Sequence, residues 1–212
     1  MSDENRTSPG PLKKVLIAAV LIAICVGCAI GYMLYQSRPA DGTIEISFRI
    51  NDPSHFPDDE PLSIPQTVVW LENSRGEYIQ SLMVSDWTSS EGWEETVKLP
   101  DGTKVKKICP KWQVASGWPE NHSKQVIDAV TRATPETGAH TVSVKCRDLK
   151  LSVGTYRCYV QTSVAPLHTI LAAGTINIGR GSTETTADIT YNPGKHKDAG
   201  PVLSDVKVRY AP

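Results

Sequence analysis

Apolar and polar residues alternate along several stretches of this 212-residue chain, and the alternation predicts β-strands. In residues 43–50 every second residue is apolar, which is typical of a strand with one buried face. Residues 66–71 and 78–85 are rich in β-branched and aromatic side chains, and turn-forming residues separate them. These two stretches therefore predict a β-hairpin.

The same two-residue period returns in residues 140–146 and 155–162, and we predict a second hairpin there. By parity, Cys146 and Cys158 fall on the inner face of these two strands. A cross-strand disulfide would join them if their Cα atoms lie within about 7 Å. The alternatives are two buried free thiols, or a bond between either cysteine and Cys109.

Three later stretches, residues 167–178, 185–191 and 202–210, also have strand character. In the last of them Leu203 and Ser204 interrupt the alternation. Many short strands separated by turns are typical of a β-sandwich. The pattern therefore predicts an all-β fold for residues 43–212.

A different pattern precedes the strands: residues 15–35 are apolar without a single charge. This length suits a transmembrane helix, and Lys13 and Lys14 just before it place the N-terminus in the cytoplasm by the positive-inside rule. We therefore predict a cytoplasmic tail (1–14), a transmembrane anchor (15–35), a linker (36–42) and an extracytoplasmic β-sandwich domain (43–212).

Two alternatives compete with a retained anchor. A cleaved signal peptide has a shorter apolar core than this run, which continues through Met33 and Leu34. Lipidation at Cys28 is the second alternative, because Gly27 precedes it, but Cys25 stands where an aliphatic residue is usual. The length of the segment favours the retained anchor.

Charges of both signs are scattered along the polar part of the chain, with 22 Lys and Arg against 23 Asp and Glu. Without a basic cluster, we predict no nucleic-acid partner. The five histidines are widely spread, and no motif pairs a nucleophile with a base. The sequence also does not contain two Cys-x-x-Cys motifs, which together would supply the four ligands of a zinc ion. We therefore predict neither a metal site nor a catalytic residue.

Residues 86–118 are irregular in pattern and unusually rich in tryptophan, with Trp87, Trp93, Trp112 and Trp118. Large aromatic residues in loops ordinarily anchor those loops to the core. The functional alternative is a stacking wall for a planar ring such as isoalloxazine.

The sequence Asp128-Ala-Val-Thr131-Arg-Ala-Thr134 precedes one of the predicted strands. It resembles the Asp-x-x-Thr-Gly-Ala-Thr signature on which bacterial proteins carry covalent FMN. The resemblance implies that Thr134 is the acceptor, with Asp128, Thr131 and Ala133 matching the surrounding motif. Arg132 stands where the motif has glycine, which would strain the backbone if that position needs a positive φ.

The structural alternative for this stretch is a turn in which Asp and Thr side chains brace the backbone. For flavin attachment, a loop threonine must enter the active site of another enzyme. Pro135 favours an extended backbone at Thr134, and the small Ala133 leaves space beside it.

Several short pieces, in order, resemble the predicted periplasmic family called domain of unknown function 2271. They are residues 68–82, Trp112 with 115–117, 128–134, 154–161 and 171–175, which together span most of residues 66–178. The resemblance implies an extracytoplasmic, immunoglobulin-like β-sandwich in a family without a settled activity.

Two functions follow as expectations. The first is a membrane-anchored electron carrier with FMN on Thr134, whose partners are an FAD:protein FMN transferase and membrane redox proteins; the cofactor supplies the redox chemistry. The second is a non-enzymatic interaction or assembly module of the cell envelope, which uses strand edges or the tryptophan-rich loops. Neither is an enzyme with turnover of its own.

Overall fold

A computed structural model describes residues 11–53, 65–90, 96–98, 104–106, 108–118, 131–165, 168–192 and 202–212. The chain divides into two compact units, one that ends at Arg38 and one that runs from Pro39 to Pro212.

The first unit contains the helix α1 (Pro11–Gln36). Within it, Val15–Tyr35 has a mean hydropathy of 2.7, and none of this segment is buried inside the protein. The length and composition are those of a membrane span, and a signal sequence near an N-terminus shares them. The predicted apolar helix is therefore confirmed.

The second unit is built mainly of strands. They are β1 (Thr43–Ile50), β2 (Gln66–Asn73), β3 (Tyr78–Ser85), β4 (Thr96–Lys98), β5 (Lys104–Lys106), β6 (Thr131–Arg132), β7 (Gly138–Lys145), β8 (Gly154–Ala165), β9 (His168–Ile178), β10 (Thr183–Thr186), β11 (Asp188–Asn192) and β12 (Leu203–Ala211). Two short helices, α2 (Asp86–Ser90) and α3 (Pro110–Ser116), complete the described elements.

The strands form two main sheets with the orders β10-β12-β1-β7 and β11-β9-β8-β2-β3-β6, and β4 pairs with β5 separately. Among the described strands, the pairs are antiparallel except the short pair of β3 and β6. The predicted mostly β character is confirmed, as is the first hairpin, in which β2 pairs with β3.

The two main sheets share one hydrophobic core. Alternate residues of β1, including Ile44 and Ile46, are fully buried, and Leu71 and Ile176 contribute to the core from the six-stranded sheet. Burying one such aliphatic side chain contributes roughly 1.5–3 kcal/mol to folding. The alternation in the sequence thus marks the faces that pack against each other.

The predicted second hairpin is wrong. Strand β7 pairs with β1 along its full length, whereas β8 lies between β2 and β9, so β7 and β8 belong to different sheets. Both edges of β8 already have partners, and residues 146–153 cross from one sheet to the other. The backbone N–H of Leu151 donates to Cys146, and its carbonyl accepts from Ala40, which ties this crossing to the linker.

Cys146 and Cys158 nevertheless both lie in the shared core, as their parity predicted. They belong to segments of opposite sheets instead of adjacent strands. The adjacency on which the predicted Cys146–Cys158 disulfide depended is therefore lost, and both cysteines are free thiols in the structure.

The interruption at Leu203 and Ser204 has a structural cause. The register between β1 and β12 shifts opposite Phe48, because β12 contains one extra residue there. Asp205 lies in this bulge with a φ of 52°. The bulge restores the alternation, so that Val206 and Val208 return to the core.

Candidate functional site

The tryptophan-rich segment covers the outer face of the six-stranded sheet. Trp112 is fully buried, and its indole N–H donates a hydrogen bond to the Ser81 hydroxyl at 2.7 Å. Trp118 is buried in the same cluster, and Trp87 packs against it. The anchoring interpretation is therefore confirmed for Trp112 and Trp118. Trp93 lies outside the described residues.

Cys109 lies within this segment, directly before α3, in a left-handed conformation with a φ of 44°. Its backbone N–H donates to the Ser163 hydroxyl at 2.9 Å, and its thiol is fully buried. Burial raises the pKa of the Cys109 thiol to about 12. A fully buried thiol with a raised pKa is a poor nucleophile, and Cys109 packs in the same buried cluster as Trp112 and Trp118.

The segment that carries the flavinylation-like motif joins the two main sheets. Thr131 and Arg132 form β6, which pairs in parallel with Val84 and Ser85 of β3. Strand β7 then begins at Gly138 and pairs with β1 of the other sheet. In the described parts of the chain, β6 and β7 are terminal strands of their sheets, so the loop 133–137 crosses between the sheets at this edge.

Within this loop, Thr134 is half-buried between the exposed Ala133 and the buried Pro135. An open pocket of about 400 Å³ lies beside it. Met83, Thr134, Pro135, His140 and Val142 are among its lining residues. This volume falls within the range of small-molecule sites, about 300–1,000 Å³.

The structure thus brings together three of the four predicted motif residues, Thr131, Ala133 and Thr134, on one short segment. Asp128 lies outside the described residues.

Arg132 does not have the backbone conformation that would require glycine. Its backbone belongs to β6, where it pairs with Ser85. Among the described residues other than glycine, a positive φ occurs at Cys109, Lys150 and Asp205. The strain expected from replacing the motif glycine by arginine is therefore absent.

His140 is a pocket residue that no sequence motif indicated. Its Nε2 lies 2.6 Å from the Glu136 carbonyl oxygen, and its ring stacks on Phe48 with a centroid distance of 5.5 Å. A carbonyl oxygen only accepts, so Nε2 carries the proton. The parity that His140 shares with Val142 was the one signal of its orientation toward the gap between the sheets.

No group of three His, Cys, Asp or Glu residues in the described segments could hold a metal ion. The polar residues that line the pocket are instead Thr134, Thr141, Glu136 and His140. Such groups suit an organic ligand with hydrogen-bonding edges.

Comparison with known proteins identifies a family to which the chain is similar. Residues 56–192 match the model of a predicted periplasmic protein family, DUF2271. Neither the curated proteins nor the solved structures contain a match to this chain. The matched segment runs from before β2 to the end of β11 and includes the Thr134 loop with its pocket. Since it covers more than half of the chain, this protein belongs to the predicted periplasmic protein family DUF2271.

Proposed function

We propose that this protein is a membrane-anchored, extracytoplasmic electron carrier that holds FMN covalently on Thr134. The observation that carries the proposal is the position of Thr134, on a loop between the sheets and beside an open pocket of about 400 Å³. The motif residues Thr131 and Ala133 accompany it on the same segment.

A modifying enzyme must reach the acceptor hydroxyl from outside. Ala133 is exposed and has a minimal side chain, which leaves room on one side of Thr134. Pro135 is buried on the other side and restricts the loop. A loop threonine with an exposed, small neighbour on one side and a buried proline on the other suits modification by another enzyme.

Attachment requires one exchange of phosphate bonds. The Thr134 Oγ attacks the FMN phosphorus of FAD, the pyrophosphate bond breaks, and AMP leaves. The hydroxyl proton passes to a base of the FAD:protein FMN transferase. FMN would supply the redox chemistry when bound, and the chain would hold it in place.

The helix α1 supports the anchoring part of the proposal. Its span Val15–Tyr35 is charge-free, and Lys13 and Lys14 precede it, so the β domain would lie outside the cytoplasmic membrane. The periplasmic description of the family agrees with this orientation. Membrane redox proteins would then be the electron-transfer partners, and the two sheets would form an immunoglobulin-like sandwich.

Mass spectrometry tests the proposal directly. The full chain is coexpressed with an FMN transferase in the periplasm and compared with Thr134→Ala. Thr137, which is exposed in the same loop, provides the matched control Thr137→Ala. We expect an FMN-sized mass increment on the wild-type protein and on Thr137→Ala, located on the peptide with Thr134, and none on Thr134→Ala.

A wild-type chain without the increment, beside a second substrate that the same transferase modifies, would contradict the carrier function. The non-enzymatic interaction or assembly module would then be the better description. Partner capture by crosslinking in the envelope would test that function.

A further inference from the structure

We infer that His140 contacts the isoalloxazine ring of the flavin and holds it in the pocket beside Thr134. The inference rests on the proposed attachment of FMN to Thr134, and it adds a residue that no part of the flavinylation-like motif includes. His140 and Thr134 line the same pocket, although they belong to different elements, strand β7 and the preceding loop.

The His140 imidazole is fixed from two directions. On one side Nε2–H donates to the Glu136 carbonyl oxygen at 2.6 Å, within the loop that carries Thr134. On the other side the ring stacks on Phe48, at 5.5 Å between centroids and 29° between planes. Phe48 is 2% exposed and belongs to the shared core, so the imidazole rests on a rigid base.

The hydrogen bond to Glu136 also determines what the ring offers to a ligand. With the proton on Nε2, the neutral imidazole has Nδ1 as a hydrogen-bond acceptor. The edge of isoalloxazine contains an imide N–H donor. Nδ1 of a ring that lines the same pocket as Thr134 is therefore suited to accept from that edge.

The apolar part of the pocket suits a flat ring. Met83 comes from β3 of one sheet and Val142 from β7 of the other, and Pro135 closes the side next to Thr134. Apolar side chains beside placed polar groups, here Thr134, Thr141, Glu136 and His140, are typical of cofactor sites. A thioether also packs favourably against aromatic rings.

Fluorescence of the loaded protein separates this role from a purely structural one. The full chain is coexpressed with the transferase as wild type, His140→Leu and His140→Asn, and FMN content is measured by intact mass. Asn keeps a side-chain oxygen that accepts a hydrogen bond, whereas Leu keeps none. The anisotropy and the visible absorption spectrum of the flavin are then recorded for equally loaded samples.

We expect all three proteins to carry FMN, with high flavin anisotropy in the wild type. The anisotropy should fall toward that of free FMN in His140→Leu and recover in part in His140→Asn. If His140→Leu does not fold, as judged by circular dichroism, His140→Ala takes its place. The flavin anisotropy of His140→Asn must then still lie between that of His140→Ala and that of the wild type.

If FMN-loaded His140→Leu or His140→Ala has the anisotropy and spectrum of the wild type, the role of His140 is overturned. The attachment at Thr134 would remain intact. A wild-type chain without FMN would overturn the proposed function and this inference with it. The mass measurement distinguishes the two failures.

Discussion

Arg132 lies directly opposite Ser85 in the parallel pair of β6 and β3. Ser85 is itself held in place, because its hydroxyl donates to the Thr67 carbonyl at 2.8 Å and accepts from the Thr67 N–H at 2.7 Å. The backbone two residues before Thr134 is therefore attached to the six-stranded sheet. The loop presents the proposed acceptor from a fixed base.

The first prediction concerns Arg132→Gly, which restores the glycine of the motif. Since Arg132 already lies in a strand, we expect FMN loading to be unchanged. The free energy of unfolding should fall by about 0.5–1 kcal/mol, because glycine loses more backbone entropy in a strand. Intact mass and urea unfolding measure the two quantities. Higher loading in Arg132→Gly would instead show that the arginine side chain obstructs the transferase.

The second prediction tests the cover over the six-stranded sheet. In Trp112→Phe the hydrogen bond to Ser81 is lost, and part of a fully buried side chain with it. We expect the free energy of unfolding to fall by about 1–3 kcal/mol. Val114, on the same helix, is 84% exposed, so Val114→Ala should change stability by less than about 0.5 kcal/mol. Equal effects of the two changes would contradict the anchoring role of Trp112.

Much of the fold was predictable because the period of apolar residues reports which side of a strand is buried. Strand β1 and the hairpin of β2 and β3 follow that rule directly. Parity cannot report which strand lies alongside, however, and this is why β7 and β8 were wrongly paired. The crossing at 146–153 depends on contacts with the distant linker at Ala40.

The candidate site also contains residues that the sequence could predict and one that it could not. Thr131, Ala133 and Thr134 could be proposed from the sequence, because a motif is a local property of the chain. His140 was not predicted as a pocket residue, because the pocket forms only where the loop joins two sheet edges. Phe48, on which its ring stacks, also belongs to a different strand. Such a relationship exists only in the folded chain.

The third prediction concerns alkaline pH. Burial raises the pKa of Cys109 to about 12 and also raises the pKa of Cys158. Above about pH 8.5 the unfolded chain releases these protons while the folded chain retains them, so stability falls as the pH rises toward the folded pKa. Between pH 8 and pH 10 each such thiol should lower the free energy of unfolding by about 2 kcal/mol.

Other groups titrate in this range, so the measurement is a difference between two proteins. Cys109→Ser removes the titrating thiol and keeps a group that can donate to the Gln66 carbonyl oxygen. Urea unfolding at both pH values should show a loss that is smaller by about 2 kcal/mol in Cys109→Ser. The same loss in both proteins would mean that Cys109 ionises normally in the folded state.

The fourth prediction compares two glycines that both have a positive φ. Gly76, with a φ of 79°, lies in the turn between β2 and β3, and an added Cβ would meet nothing within 4 Å. Gly76→Ala should therefore cost only the strain of the left-handed backbone, roughly 1–2 kcal/mol.

Gly42 also has a positive φ, of 98°. An added Cβ at Gly42 would, however, overlap the Ala211 carbonyl oxygen and lie 2.8 Å from the Pro212 Cα. Backbone atoms cannot move aside as a flexible side chain can. The Gly42 carbonyl also accepts from the Cys146 N–H at 2.9 Å, so a shift of this residue would disturb the crossing between the sheets. We expect Gly42→Ala to lower the free energy of unfolding by about 3 kcal/mol or more. Equal losses in Gly42→Ala and Gly76→Ala, measured by urea unfolding, would show that the linker does not pack against the end of β12 as described.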